Sequence, residues 1–135
     1  YGLQLLKNQK DLQATGKRAA LRHRDTNVQN HSENEKVLLD FINQCRKKNV
    51  KVILFTPPAY KSYQENLDGK QMEKVLQIAA SIEKQHSNVR YFNVFNDKSF
   101  VENDFHDADH LNEYGAKKLT KKLNSIIVNM EKQNL

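Results

Sequence analysis

Residues 50–58, VKVILFTPP, decide the fold. The run is almost unbroken in β-branched and aromatic side chains and lacks the alternation of a half-solvated strand. It therefore predicts a strand covered on both faces, as parallel strands are. Pro57 and Pro58 lack the N–H that a ladder needs and stop it. Upstream, Ser32-Glu33-Asn34-Glu35 fits a capping box, in which the serine oxygen accepts from a free amide and Glu35 reaches back to the cap, so a helix is expected from Ser32. Val37, Leu38, Phe41, Ile42 and Cys45 give that helix one apolar stripe. Arg46, Lys47 and Lys48 lie where the helix dipole favours cations, and Asn49 ends it.

Downstream the pattern repeats. Met72, Val75, Leu76, Ala79 and Ala80 mark a second helix ending near Ser87-Asn88, and VRYFNVF, residues 89–95, reads as a second strand. A last helix, capped by Asn112, sets Ala116, Leu119, Leu123, Ile126, Ile127 and Met130 against a face of Lys117, Lys118, Lys121 and Lys122. Helix, strand, helix, strand, helix predicts parallel strands joined by right-handed crossovers, and so a three-layer α/β sandwich. This α/β part is expected over residues 32–135. Residues 1–31 read as a loop or linker, with room for a short helix among the leucines of residues 1–14 and a polar stretch from Thr15 to His31 that holds Gly16 and the basic cluster Lys17, Arg18, Arg22, His23 and Arg24.

Hydrophobic content of 38% against 28% charged residues, with the apolar residues grouped periodically, describes a folded domain with a very polar exterior, not a disordered chain. The net charge of +6 is spread along helix faces, and aromatics make up only 8% with no tryptophan; a solvated basic surface is expected, not a nucleic-acid patch. Cys45 is the single cysteine, which excludes an internal disulfide and suits a small core residue. The longest apolar run, around Val52–Phe55, falls far short of the ~20 residues of a membrane span.

In open α/β sheets ligands gather beyond the carboxyl ends of the strands, which here means residues 57–68 and 96–111. The second segment opens onto DFHDADHLNEYG, residues 104–115, with three aspartates and two histidines in seven positions. In a tight turn Asp107 and His110, three apart, can face each other. The carboxylate would accept from the imidazole Nδ1–H, leaving Nε2 to take a proton from a nucleophile, with His110 as general base and Asp107 as its orienter. On the other loop Tyr60, Ser62 and Tyr63 can shape an acyl or sugar pocket or simply cover a core edge, and Asn112 can join them in binding substrate, although helix capping alone accounts for it. Gly115 near a helix start weakens the helix unless something approaches its backbone closely. Two alternatives stand beside this. His106 and His110, four apart, would share a helical face and bind one metal with Asp109 or Asp104; or residues 104–109 are an acidic turn and His110 merely begins the helix.

The block DADHLNEYGA, with Asp107, His110, Asn112 and Gly115, resembles the last conserved block of the SGNH (GDSL-like) hydrolases, and VKVILFTPPAY resembles the strand and loop before it, including in DltD-like and alginate-acetylation relatives that act on the cell envelope. The resemblance covers roughly residues 32–131 and implies a flavodoxin-like three-layer fold, a serine esterase or acyl-transferase, and His110 and Asp107 as base and acid of its triad. It implies no cofactor and no structural metal. Its substrates would be acylated small molecules or carbohydrates, and its setting the cell envelope, outside the cytoplasm. The family's Gly-Asp-Ser nucleophile block does not occur: Ser32, Ser62, Ser81, Ser87, Ser99 and Ser125 all lack that context. Base and orienter without nucleophile and oxyanion donors have nothing to activate. Two strands flanked by three amphipathic helices also fall short of the usual sheet of about five. The chain is therefore expected to be the C-terminal part of a longer protein, completed by the missing N-terminal half or by a second copy. A non-catalytic envelope-binding module with the same fold is the alternative.

Overall fold

The computed structural model describes residues 11–24 and 29–132. In chain order they form α1 (Leu12–Arg22), α2 (Gln29–Lys47), β1 (Val52–Thr56), α3 (Lys61–Asn66), α4 (Gly69–Gln85), β2 (Val89–Asn93), a 3-10 turn (Glu102–Asp104), β3 (Phe105–Asp107), β4 (His110–Leu111) and α5 (Glu113–Lys132). The fold is mixed α/β with helix predominating. Its chain divides into two compact units, one of residues 20–57 and 66–95, the other, within the described residues, of 11–19, 58–65 and 96–132.

The first unit, here the sheet unit, forms the helices and strands its periodicity suggests, although Val37, Phe41 and Val75 of the expected apolar stripes are exposed. β1 and β2 pair in parallel over five residues, from Val52 opposite Val89 to Thr56 opposite Asn93. Ile42 of α2, Ile82 of α4, Val52 and Val89 form the buried core, and Leu38, Leu39, Cys45, Leu54 and Ile78 pack against it. Each fully buried aliphatic side chain contributes on the order of 2 kcal/mol. α2 ends where Asn49 turns left-handed at φ 56°, a conformation asparagine tolerates better than most residues, while the Val50 N–H returns to the Cys45 carbonyl at 2.9 Å. α4 begins at Asp68, whose carboxylate accepts from the Lys70 and Gln71 amides at 2.9 and 3.1 Å.

Two expectations change here. The helix expected from Ser32 is already formed at Gln29, so Ser32 is an interior residue and no cap; nothing in Asn30 or His31 breaks a helix. β1 is also less covered than a parallel strand inside a large sheet, with Val52 buried but Phe55 40% exposed.

The second unit, here the hairpin unit, is held differently. Its apolar cluster is small: Leu12, Phe100 and Phe105, with Tyr60, Leu111 and Leu119 against it. Around that cluster run polar contacts. Asp104, 5% exposed, accepts from the Val101 N–H at 2.8 Å and from the Lys118 ammonium, and its carbonyl accepts from the Asn112 N–H at 2.9 Å. α5 starts directly over this knot. A Cβ on Gly115 would stand 2.2 Å from the Asp104 carbonyl oxygen and 2.8 Å from Leu111 Cδ2, so the glycine permits a close backbone approach.

α1 corrects the reading of residues 15–22 as loop. Leu12, Thr15, Gly16, Ala19 and Ala20 are all buried, at i, i+3, i+4, i+7 and i+8, while Lys17, Arg18 and Arg22 are exposed on other faces. The helical period is present, but it is written in small and hydroxyl side chains. Gly16 belongs to that face because a Cβ there would meet the Ser62 Oγ at 2.2 Å and the Ser62 backbone carbon at 2.6 Å. Asp11 caps the helix, accepting from the Gln13 and Ala14 amides. The leucine pattern of residues 1–14 falls largely outside the described residues.

Candidate active site

The segment 105–111, expected as loop, folds into a short antiparallel hairpin. Phe105 pairs with Leu111 and Asp107 with His110 across a two-residue turn, Ala108-Asp109. Directly opposed residues of a hairpin project to the same side, which is why positions three apart meet. His110 Nδ1 lies 2.8 Å from Asp107 Oδ1, the distance of a charge-assisted hydrogen bond. The same oxygen accepts from the Asp109 N–H at 3.3 Å, and the Asp109 carboxylate lies 3.5 Å from His110 Nδ1.

Burial separates the two partners. The Asp107 side chain is 14% exposed and that of His110 is 64% exposed. Burial alone would raise the Asp107 carboxyl; the hydrogen bond and positive charge of His110, with the Asp109 N–H, outweigh it and hold the group below 3.8. Asp107 is therefore an anion at neutral pH. An anionic acceptor at Nδ1 places the neutral imidazole's proton there. Nε2 has no hydrogen-bond partner among the described residues. An accessible basic nitrogen backed by a carboxylate can abstract a proton, and the carboxylate stabilises the imidazolium that results.

Other residues singled out from the sequence fall in several places. Tyr60 stands edge-on to Phe105, ring centroids 5.6 Å apart, and its hydroxyl donates to Glu102 at 3.4 Å. It helps line a cavity of about 390 Å³ with Lys61, Gln64, Lys98, Phe100 and Phe105. Tyr63 is half-buried in α3, with its N–H donated to the Tyr60 carbonyl. Ser62 is 1% exposed and its hydroxyl donates to the Leu12 carbonyl, at the place where Gly16 packs over it. Asn112 is likewise committed. Its Oδ1 accepts from the Tyr114 and Gly115 amides at 2.9 and 3.1 Å, and its amide donates to the Asn103 and Phe105 carbonyls at 2.7 and 3.3 Å. Capping α5 and fastening the hairpin use all its polar atoms.

The metal geometry imagined on a helix is not formed. Residues 106 and 110 lie in a hairpin whose register shifts between Phe105 and Asp107, and His106 is not among the donors that come together with His110. The described residues instead bring one donor atom each from Asp107, Asp109 and His110 within 4.8 Å of one another, a set that could hold a cation. No hydrogen bond of His110 among the described residues involves a serine. Asp109 and Thr15 are the residues of this region that sequence reasoning assigned no part in the pair; Asp109 carried the signal of its position inside the turn, whereas Thr15 carried none.

The family model described as "Protein of unknown function (DUF1574)" matches residues 7–130, and the chain belongs to that family. No curated protein matches the chain, and no solved structure does.

Proposed function

We propose that this DUF1574 chain carries the general base and orienting acid, His110 and Asp107, of an ester hydrolase or acyl-transferase of the SGNH kind. The nucleophilic serine and the oxyanion donors would come from polypeptide outside these 135 residues or from a second copy. The observation that carries this is the 2.8 Å contact from His110 Nδ1 to a partly buried carboxylate, with Nε2 left unpartnered among the described residues.

The chemistry follows from that arrangement. Nε2 takes the proton of the serine hydroxyl as its oxygen bonds to the acyl carbon, and Asp107 stabilises the imidazolium. The imidazolium returns the proton to the departing alcohol, whose bond to the acyl carbon breaks. Water or an acceptor hydroxyl, deprotonated by the same nitrogen, then bonds to the acyl carbon, the serine oxygen's bond to that carbon breaks, and the imidazolium returns the proton to the serine oxygen. The cavity beside Tyr60 shares Phe105 with the strand that carries Asp107, and its mixed lining suits an acyl or sugar group. Two strands are few for a sheet, so the same proposal includes further strands completing a three-layer, flavodoxin-like arrangement around β1 and β2. Among the described residues no helix is long and apolar enough to cross a membrane. Work on the cell envelope remains part of the proposal, supported by the resemblance of residues 107–116.

In the intact protein, His110→Ala is expected to lower p-nitrophenyl acetate turnover roughly 10⁴-fold while folding is kept. Undiminished turnover contradicts the assignment. The Asp107, Asp109 and His110 donor set supports a second reading, a cation-dependent hydrolase. Stoichiometric zinc or another divalent ion in elemental analysis of the purified protein would favour it.

A further inference from the structure

Thr15 lies 93 residues from Ala108 in sequence, yet its Oγ1 accepts from the Ala108 N–H at 3.2 Å. The same hydroxyl donates to the Asp11 carbonyl one helical turn back at 2.8 Å, so its single proton is used and its lone pair is aimed outward from α1. The other backbone group of Ala108 is taken as well, since its carbonyl accepts from the Tyr60 N–H at 2.8 Å. Ala108 is 0% exposed and Thr15 7% exposed, so water does not substitute easily for either bond. Ala108 is also the first of the two residues in the turn between Asp107 and His110.

We infer that Thr15 is a positioning residue for the Asp107–His110 pair: its hydroxyl and the Tyr60 amide grip both backbone groups of Ala108 and fix the turn that sets carboxylate and imidazole opposite each other. The inference rests on the base-and-orienter reading of that pair. It gives a physical reason for a threonine on the buried face of α1, where every other member is leucine, glycine or alanine. Beside the clamp, the turn is tied locally by the weak 3.3 Å Asp109 contact, by the pair itself and by the short β3–β4 ladder. Because the two side chains descend from either end of this turn, loosening it lengthens the imidazole–carboxylate bond. The imidazole proton then divides between Nδ1 and Nε2, and Nε2 is basic only part of the time.

The test is nitrogen-15 NMR of the His110 ring in the full chain at about pH 9, where an imidazole is neutral. Wild type is expected to hold the Nδ1–H form. Thr15→Val keeps the shape and removes the acceptor; the Nδ1–H to Nε2–H ratio is expected to fall about fivefold, the equivalent of one ordinary hydrogen bond. Thr15→Ser keeps the hydroxyl and is expected to retain the wild-type ratio. A folded Thr15→Val with an unchanged ratio overturns the clamp while leaving the pair intact. Thr15→Ser falling as far as Thr15→Val overturns it too, because packing and not the hydroxyl would then be responsible. A wild type in the Nε2–H form overturns the pair and the clamp together. Should Thr15→Val fail to fold, amide exchange in wild type decides: Ala108 is expected to exchange at least about a hundredfold slower than an open amide, and exchange at the open rate overturns the clamp.

Discussion

The sheet unit and the hairpin unit solve the same problem with different chemistry. In the sheet unit, four buried aliphatic side chains, Ile42, Val52, Ile82 and Val89, lock two helices onto a parallel ladder. Apolar packing of this kind is tolerant of detail, because any set of side chains of the right volume fills it. In the hairpin unit the buried positions include Thr15, Ser62 and Asp104, and two helices make backbone-close contact at Gly16 and Gly115. Such contacts are intolerant of detail, since a hydrogen bond or a glycine approach has one geometry. The unit that carries Asp107 and His110 is the intolerant one, which is what holding two side chains within a hydrogen bond of each other requires.

Substitutions can break or sharpen that contrast. The largest effect is expected at Ile42→Ala, where a side chain with 0% exposure leaves a cavity costing about 4 kcal/mol in chemical denaturation. Ile42→Leu, in contrast, should cost no more than about 1.5 kcal/mol, because it keeps the volume. Gly115→Ala adds only one methyl group, yet it is expected to cost about 3 kcal/mol against a helix-propensity gain of roughly 1, since the obstructing atom is the Asp104 backbone oxygen. A neutral or stabilising Gly115→Ala would erase the distinction between the units.

The smallest effect concerns the rim. Lys122 hydrogen-bonds Asp97, and with the Ser99 N–H it lowers the Asp97 carboxyl from 3.8 to about 2. A carboxyl depressed in the folded state adds stability above its unfolded value, and that stability is lost as pH falls through the folded value. Lys122→Met should therefore be less stable than wild type at neutral pH by about 1 kcal/mol, a figure kept small because solvent screens both side chains. The gap should close between pH 3.8 and about 2. A gap as large at pH 2 as at pH 7 would assign it to packing of the lysine stem.

How much the sequence disclosed follows the same division. Val52–Thr56, the stripe of α4 and the cap at Asn112 are local patterns, and the structure forms all three elements. α1 is faint in the sequence because, apart from Leu12, its buried face reads Thr, Gly, Ala, Ala, side chains too small or too weakly apolar to mark a stripe although the spacing is helical. The hairpin at 105–111 escaped because its turn residues, Ala108 and Asp109, lack the Asn-Gly or Asp-Gly signature of two-residue turns. Tertiary ties at Ala108, not turn propensity, shape it. The three-residue spacing of Asp107 and His110 was visible in the sequence, and the Gly115 approach could be inferred from the cost of a glycine there. Ser62 and Asn112 were drawn toward ligand roles because hydroxyls and amides serve ligands and backbones alike, and only burial and partners tell the two apart.

The most direct measurement is a double-mutant cycle on p-nitrophenyl acetate turnover in the intact protein, comparing His110→Ala, Asp107→Ala and the pair. If His110 works only as Asp107 holds it, each single variant loses on the order of 10³- to 10⁴-fold and the double variant is no slower than His110→Ala. Losses that multiply, or full turnover in Asp107→Ala, would show that the carboxylate and the imidazole do not act together.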